Sequence, residues 1–391
     1  MSDAGAIPLA RPDVGAREER AVLEALRSGR LSMGPAVERY EQRFGEWLGV
    51  SDAVAVSSGT AALHLGVRAL GWGRGDEVLT SPFSFVASAN YLLYEDARPV
   101  FCDVDPITLN LDAGACEAAV GEATIGVLPV HIFGYPAATA AFDELAHERG
   151  LGVLEDACEA LGAVDADGLR AGARGNLATF GFYPNKQLIT GEGGVLVASD
   201  PASAALARSE RNQGRGADMG WLDHVRLGFN YRLSDLQAAL GVAQLERVDE
   251  LLAERARVAN LYGERLAAIG GSPAGGGDPD GLVLPCADRG AERRSWFVYV
   301  VQLPEGADRD AVIAELERQG VASKAYLPCI HLMPFYRERF GYRGGELPVA
   351  ERIARRSLAL PFFTTLAEAE VERVAAGLAA ALGWTARRAG L

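Results

Sequence analysis

Short apolar runs alternate with segments of helical spacing over the first part of the chain. The apolar runs at 54–56, 77–80, 99–102 and 125–130 are each followed by such a segment, at 61–70, 84–94, 113–120 and 137–149, and a fifth run covers 152–155. Two further helices are predicted at 18–27 and 38–48 from apolar positions spaced three to four apart. Regular alternation of strands and helices predicts an α/β fold, with a mostly parallel sheet covered by helices on both faces.

The pattern changes after residue 234. A long helical stretch is predicted from 234 to about 269, and the segment 270–281 is rich in glycine and proline, which is typical of an exposed loop or a domain boundary. A strand at 296–302 and helices at 309–319 and 368–382 follow. We therefore expect a large domain over 1–245 and a smaller α+β domain over 246–391, with an N-terminal segment able to pack on the small domain.

Composition narrows the classes of function. The chain has 391 residues, is 49% hydrophobic and carries a formal net charge of −14, which argues against nucleic acid or an anionic membrane as the main partner. No apolar run approaches the roughly 18 residues that span a bilayer, and no targeting segment is evident, so we expect a cytoplasmic protein. Five scattered cysteines without a Cys-x-x-Cys pair fit neither a disulfide framework nor a zinc site, and no metal is expected.

Lysine is rare in this chain. Only Lys186 and Lys324 occur, whereas the other 36 of the 38 basic residues are arginines. A guanidinium stays protonated, but a buried amine can lose its proton and act as a nucleophile. Composition alone is equally consistent with a surface lysine. However, Lys186 follows the aromatic run 180–183 and precedes Gly191, Gly193 and Gly194, which favours a site where the backbone approaches a ligand.

Other chemically useful residues fall just after predicted strands, where ligands bind in parallel α/β sheets. Ser58, Gly59 and Thr60 begin a helix and can cradle a phosphate, although such residues also cap helices that bind nothing. Asp156 directly follows the predicted strand at 152–155, and a buried carboxylate requires a partner. That partner can be an arginine or a backbone amide, or the protonated ring nitrogen of pyridoxal phosphate. A phosphate cradle, an aromatic residue, an aspartate and a lysine, in this order, form the set that pyridoxal phosphate requires.

Three competing classes of site are absent from the sequence. A Walker A loop requires Gly-Lys-Ser/Thr, whereas Lys186 follows Asn185 and Lys324 follows Ser323. The turn at 57–62 lacks the G-x-G-x-x-G spacing of a dinucleotide site. The spacing of a zinc protease does not occur either.

The motifs together resemble the DegT/DnrJ/EryC1/StrS family of sugar aminotransferases, which have the aspartate-aminotransferase fold (fold type I). The similarity covers nearly the whole chain and is carried by the segments 31–35, 57–63, 75–78, 84–87, 155–157, 186–194 and 228–232. The resemblance implies that Lys186 forms the Schiff base with the cofactor and that Asp156 pairs with its ring nitrogen. It further implies that Phe85 stacks on the ring and that Glu159 lies near the ring hydroxyl.

The resemblance also implies contacts to the phosphate and to the substrate. Ser58, Gly59 and Thr60 would hold the phosphate, and Asn230 would reach the cofactor of a neighbouring subunit, so a homodimer with shared sites is expected. At Gly181 many members of the family have a serine that binds the phosphate, and this chain therefore lacks one hydroxyl donor. The candidates for substrate binding are Met33, Arg211, Arg232, Lys324 and His331, and each cation can instead be a structural ion pair.

The expected reaction follows from the resemblance. Glutamate gives its amino group to the cofactor, leaving pyridoxamine phosphate, and a keto-sugar linked to a nucleotide then accepts it. The expected acceptor is an NDP-4-keto-6-deoxyhexose, in the biosynthesis of a surface polysaccharide or an antibiotic. Amination at C3, or of an inosose, is the alternative within the class. A regulatory protein that binds pyridoxal phosphate without turnover, and a lyase on the same fold, are alternatives from other classes.

Overall fold

A seven-stranded sheet forms the centre of the larger part of the chain. The computed structural model describes residues 5–198, 200–216 and 223–384. The strand order is β1-β7-β6-β5-β4-β2-β3, in which β6, β5, β4, β2 and β3 run parallel and β7 is antiparallel to both of its neighbours. The strands are β1 (Asp52–Val56), β2 (Glu77–Thr80), β3 (Arg98–Phe101), β4 (Thr124–Leu128), β5 (Gly152–Asp156), β6 (Leu177–Gly181) and β7 (Gly194–Ala198). The predicted α/β class and the mostly parallel sheet are confirmed.

Helices cover both faces of this sheet, as the alternating pattern predicts. On one face Tyr40, Phe44 and Phe180 belong to one buried cluster, and on the other Leu63, Val67 and Leu154 belong to a second. The helices are α1 (Ala16–Arg27), α2 (Pro35–Leu48), α3 (Gly59–Leu70), α4 (Ala87–Tyr94), α5 (Ala113–Ala119), α6 (Thr139–Arg149), α7 (Pro201–Glu210) and α8 (Asp235–Leu245). Within the described ranges, no helix combines the length and the apolar character needed to cross a membrane.

A second, five-stranded sheet organises the C-terminal part, in the order β11-β12-β10-β9-β8. Its core contains Val258, Tyr299, Leu316 and Leu358. The elements are α9 (Val248–Ala268), β8 (Ser272–Pro273), β9 (Val283–Leu284), β10 (Tyr299–Gln302), α10 (Arg309–Arg318), β11 (Lys324–Ala325), α11 (Pro334–Phe340), α12 (Pro348–Arg356), β12 (Ser357–Leu360) and α13 (Glu368–Ala381).

The N-terminal segment packs on this second core. Ile7 is 2% exposed and forms a parallel bridge with Val321, and the carbonyl of Leu9 accepts a hydrogen bond from the amide of Phe362. The boundary at 245/246 falls in the short connection between α8 and α9. The division into two domains at that point stays a prediction.

Several predicted elements differ from the observed ones, among them the expected strand over 296–302, which begins only at Tyr299. The single helix expected over 234–269 is interrupted at Arg247, where the backbone leaves the helical region (φ −129°, ψ 18°) and the guanidinium binds Asp13 and Glu18. The expected helix over 84–94 begins only at Ala87, so Phe85 lies in the preceding turn. Finally, the expected loop over 270–281 contributes the short strand β8, which pairs with β9.

Candidate active site

The N-terminus of α3 packs directly against the ends of two neighbouring segments. Ser58 has an extended backbone, and its hydroxyl accepts a hydrogen bond from the amide of Ala61 at 3.1 Å. A Cβ atom at Gly59 would lie 2.9 Å from the Sγ atom of Cys158 and 3.2 Å from the Cα atom of Gly181. Only glycine allows this approach without displacing its neighbours, so the first amides of the helix lie beside the carboxyl end of β6.

Gly181 lies on the other side of the same contact. A Cβ atom there would lie 3.4 Å from the Sγ atom of Cys158, an ordinary van der Waals distance, so the space accommodates a small side chain. The residue nevertheless offers no hydroxyl to a bound phosphate. The adjacent thiol does not add a charge, because burial raises the pKa of Cys158 well above its ordinary value.

Asp156 is a buried carboxylate at the end of β5, with 4% of its surface exposed. Its Oδ2 atom accepts from the hydroxyl of Ser88 at 2.7 Å, and its Oδ1 atom accepts from the amide of Cys158 at 3.1 Å. The Ser88 hydroxyl is in turn 2.7 Å from that of Ser84. Across the described ranges, no lysine, arginine or histidine lies within ion-pair distance of this carboxylate. All its partners are neutral, so a cation is the partner that it lacks.

Lys186 lies in the turn after β6, and its side chain is 15% exposed. The Nζ atom is 3.7 Å from Oε1 of Glu159 and 3.8 Å from the centre of the Phe297 ring. The other carboxylate oxygen of Glu159 accepts from the amide of Phe133 at 3.0 Å. Burial raises the pKa of Glu159, the charge of Lys186 lowers it, and the charge of Asp156 raises it. The structure therefore brings Asp156, Glu159 and Lys186 into one electrostatic cluster.

Two aromatic residues of this cluster were missed by the sequence analysis. Phe297 precedes β10 and faces the Lys186 amine, while Tyr326 follows β11. Burial and the charge of Glu159 raise the pKa of the Tyr326 phenol. Both residues come from the C-terminal part of the chain, and no spacing relative to Lys186 could have revealed them.

Phe85 has the exposure expected of a residue that packs on a ligand. It is 62% exposed, although large aromatic side chains are usually buried. Its carbonyl accepts from the amide of Ser88, the residue whose hydroxyl binds Asp156. The backbone therefore links the exposed ring to the buried carboxylate within one turn.

The predicted substrate-binding residues lie in several environments. Arg211 is 5% exposed and donates to Glu41 and to the carbonyl of Ala55 at 2.6 Å, so its guanidinium is engaged within the protein. Arg232 donates to the side chain of Asn212 at 3.0 Å. Met33 and Arg211 line one cavity of about 440 Å³, together with Glu41, Arg208, Arg215 and Arg226 among others.

Asn230 and Lys324 are exposed in this chain. Asn230 forms an antiparallel bridge with Asn212, next to a second bridge between Arg215 and His224.

His331 is fully buried, and its Nε2 atom lies 3.2 Å from Glu351. Together with Glu346, these two residues form a group of side chains that are able to ligate a metal. The structure thus places His331 with Glu351, and not with the cluster around Lys186.

The residues around Asp156 and Lys186 fit pyridoxal phosphate. The carboxylate without a cationic partner suits a protonated ring nitrogen, and the first backbone amides of α3 suit a phosphate. The exposed Phe85 ring suits an aromatic ligand, and the Lys186 amine suits an aldehyde. Fold and site together define the class as a pyridoxal phosphate-dependent aminotransferase.

Comparison with known proteins identifies the family. The DegT/DnrJ/EryC1/StrS aminotransferase family matches residues 12–379, nearly the full length, and the chain belongs to this family. The chain is 38% identical over 381 residues to GDP-perosamine synthase of Caulobacter vibrioides, and the aligned region covers 97% of this chain and 99% of that protein. It is 36% identical over 382 residues to the spore coat polysaccharide biosynthesis protein SpsC of Bacillus subtilis, covering 94% and 95%.

A solved structure has the same fold. The aminotransferase TlmJ from Streptoalloteichus hindustanus superposes with a TM-score of 0.88 at 34% identity, over 97% of this chain and 99% of that one. The predicted family, the predicted fold and the predicted class of enzyme are confirmed. The individual roles of the site residues stay predictions.

Proposed function

We propose that this protein transfers an amino group from glutamate to a keto-sugar linked to a nucleotide, with an NDP-4-keto-6-deoxyhexose as the acceptor. The observation that carries the proposal is the cluster of Asp156, Glu159 and Lys186, in which a buried carboxylate lacks a cation and an amine lies beside a second carboxylate. A sugar nucleotide as acceptor is supported by GDP-perosamine synthase, a full-length relative named for a GDP-linked product. The relative SpsC, named for polysaccharide biosynthesis, is consistent with the same substrate class.

Each residue has a distinct task in this proposal. When bound, pyridoxal phosphate supplies an aldehyde that takes up the amino group and a ring that takes up electrons. Asp156 would hold a proton on the ring nitrogen, because its two neutral donors leave its negative charge unbalanced. Lys186 would bind the aldehyde and then carry a proton to and from the substrate carbon as a general base and acid.

The remaining residues bind and orient. Ser58, Gly59 and Thr60 would hold the phosphate through the first amides and hydroxyls of α3. Phe85 would cover one face of the ring. The Glu159 carboxyl, whose pKa is raised by burial, would hold or release a proton beside the Lys186 amine.

We further propose that two copies of the chain share their sites in a cytoplasmic homodimer. Asn230 is exposed on its ribbon, and Leu227 near it is 73% exposed, which is the exposure expected of a segment that another subunit covers. Sedimentation analysis combined with an Asn230→Asp variant tests this arrangement. A monomer with full activity would contradict it.

The test of the reaction is direct. Purified protein loaded with pyridoxal phosphate is mixed with glutamate, and the loss of visible absorbance is followed. A panel of keto-sugar nucleotides is then added, and mass spectrometry identifies any aminated product. An amino sugar nucleotide is the expected result. No response to any amino donor would favour a regulatory protein instead, and release of a keto product without an acceptor would favour a lyase.

A further inference from the structure

A buried arginine on α9 donates hydrogen bonds to the backbone of the turn that carries Lys186. Arg255 is 5% exposed. One of its terminal nitrogens, Nη2, donates to the carbonyl of Lys186 at 2.8 Å and to that of Asn185 at 3.3 Å. The other, Nη1, donates to the carbonyls of Phe297 at 3.1 Å and Trp296 at 3.4 Å. One guanidinium therefore joins the backbone of the lysine turn to the backbone of the segment before β10.

The partners of Arg255 are unusual for a buried cation. In the part of the chain that the structure describes, no carboxylate lies within ion-pair distance of it, and its Nε atom has no hydrogen-bond partner. Burial lowers the pKa of this guanidinium to about 10, while the charge of Asp13 acts in the opposite direction. Burying a cation without a paired anion costs free energy. If this position served only stability, an apolar side chain of similar size would give a more stable fold.

The two segments joined by Arg255 carry the two groups that meet at the site. The Nζ atom of Lys186 lies 3.8 Å from the centre of the Phe297 ring, and the backbone carbonyls of both residues accept from the same guanidinium. Gln187 adds a second link, because the Nε2 group of its side chain donates to the backbone carbonyls of Glu159 at 2.6 Å and Ser295 at 3.1 Å. The position of the amine relative to the ring is thus fixed through backbone contacts and not only through its own side chain.

We propose that Arg255 is a positioning residue, which holds the Lys186 amine between Phe297 and Glu159 by binding the backbone on both sides. This inference rests on the chain being a transaminase that uses Lys186, and it does not depend on the identity of the sugar. Without the guanidinium, the turn and the segment before β10 would lose the contact that joins their backbones, and the weaker link through the side chain of Gln187 would remain. A misplacement of about 1 Å can lower a rate by about 100-fold.

The test compares Arg255→Met and Arg255→Lys with a matched control, Arg356→Met. Arg356 is also buried, at 6% exposure, and donates to three backbone carbonyls, those of Pro279, Gly281 and Leu303. It lies at the end of α12 in the C-terminal part. Both methionine changes remove one buried guanidinium that binds carbonyl groups, but only one of the two guanidiniums binds the lysine turn.

Two measurements are made on the whole 391-residue chain. Hydrogen–deuterium exchange follows the amides of 183–190, among them the Lys186 amide that donates to the carbonyl of Tyr183. Stopped-flow absorbance follows the loss of colour of the cofactor-loaded protein with an amino donor, and it gives a maximal rate and a half-saturating donor concentration. The exchange measurement requires no turnover, so a failure of the proposed function does not affect it.

For Arg255→Met we expect faster exchange at 183–190 and a maximal rate about 10- to 100-fold lower, with the half-saturating concentration changed by less than about threefold. Arg255→Lys, which keeps the charge and one donor group, should recover part of the rate and serves as the second variant if the methionine protein does not fold. Arg356→Met should leave both measurements unchanged. Faster exchange in Arg255→Met with an unchanged maximal rate would make Arg255 a purely structural residue and overturn the proposal. Unchanged exchange at 183–190 in Arg255→Met would also overturn it. So would an Arg356→Met variant whose maximal rate falls as much as that of Arg255→Met.

Discussion

Replacing Asp156 by asparagine separates the charge of this residue from its shape. The carboxylate accepts one hydrogen bond on each oxygen, from Ser88 at 2.7 Å and from the amide of Cys158 at 3.1 Å. Asparagine keeps the oxygen that faces the Cys158 amide and turns its NH₂ group toward Ser88. The Ser88 hydroxyl can then donate to Ser84, which lies 2.7 Å away. No buried group loses its partner, so the cofactor-free variant should unfold within about 1 kcal/mol of wild type.

Cofactor binding should respond differently. A hydrogen bond to a charged group contributes about 1.5–3 kcal/mol, compared with about 1 kcal/mol for a neutral one. If the missing cation at Asp156 is the ring nitrogen, loss of the whole charge-assisted contribution weakens pyridoxal phosphate binding by about 10- to 150-fold. Turnover should fall further, because the ring nitrogen is no longer held protonated. Equilibrium dialysis gives the dissociation constant, and the glutamate reaction gives the rate.

Ser88→Ala is the matched control for this prediction. It keeps the charge of Asp156 but removes the hydroxyl donor at 2.7 Å, so the free energy of unfolding should fall by about 1–3 kcal/mol. Its effect on cofactor affinity should be smaller than that of Asp156→Asn. Ser88→Ala should therefore be the less stable of the two variants, whereas Asp156→Asn should bind the cofactor more weakly. Wild-type affinity and turnover in Asp156→Asn would refute the assignment of Asp156 to the ring nitrogen.

Three further predictions concern the same cluster. Lys186→Arg should lower turnover at least about 1000-fold in the glutamate assay, because a guanidinium neither binds the aldehyde nor shuttles a proton; substantial residual activity would exclude Lys186. Gly59→Ala should cost about 1–3 kcal/mol in urea unfolding through overpacking, and Cys158→Ala in the same chain should recover part of it. Burial raises the pKa of Glu159 in the folded state above its ordinary value of 4.5, so its contribution to stability is lost as the pH rises from 4.5 through the folded-state pKa. Glu159→Gln should therefore flatten the fall in melting temperature on the alkaline side of pH 4.5, and an unchanged profile would contradict this prediction.

The local pattern of the sequence was sufficient for the parallel part of the large sheet. Strands β2 to β5 and the helices between them are where the alternation of apolar runs and helical spacing placed them, to within a few residues. The direction of β7 could not be predicted, because side-chain periodicity along a strand is the same for parallel and antiparallel neighbours. The break at Arg247 could not be predicted either, because it depends on contacts with Asp13 and Glu18, which are far away in the sequence.

The site was predictable to the extent that it lies at strand ends. Asp156 and Gly181 each end a parallel strand, and Lys186 follows in the next turn, so their proximity follows from the topology of the sheet. Glu159 entered only through the resemblance to the family. Phe297 and Arg255 reach the site by packing between the two parts of the chain, and packing partners at such separation leave no periodic signal.

The residues around the Lys186 amine come from both parts of the chain. Lys186 and Glu159 belong to the part of the chain built around the large sheet, whereas Phe297 and Arg255 belong to the part that contains the second sheet. The surroundings of the amine are therefore complete only while the two parts are packed together. A change that shifts the second sheet relative to the first would move Phe297 away from Lys186 without altering Asp156 or the start of α3. Cofactor binding and proton transfer should thus be separable by mutation. Changes at the ends of β5 and β6 should mainly weaken cofactor binding, whereas changes in the contacts of Arg255 should mainly slow proton transfer.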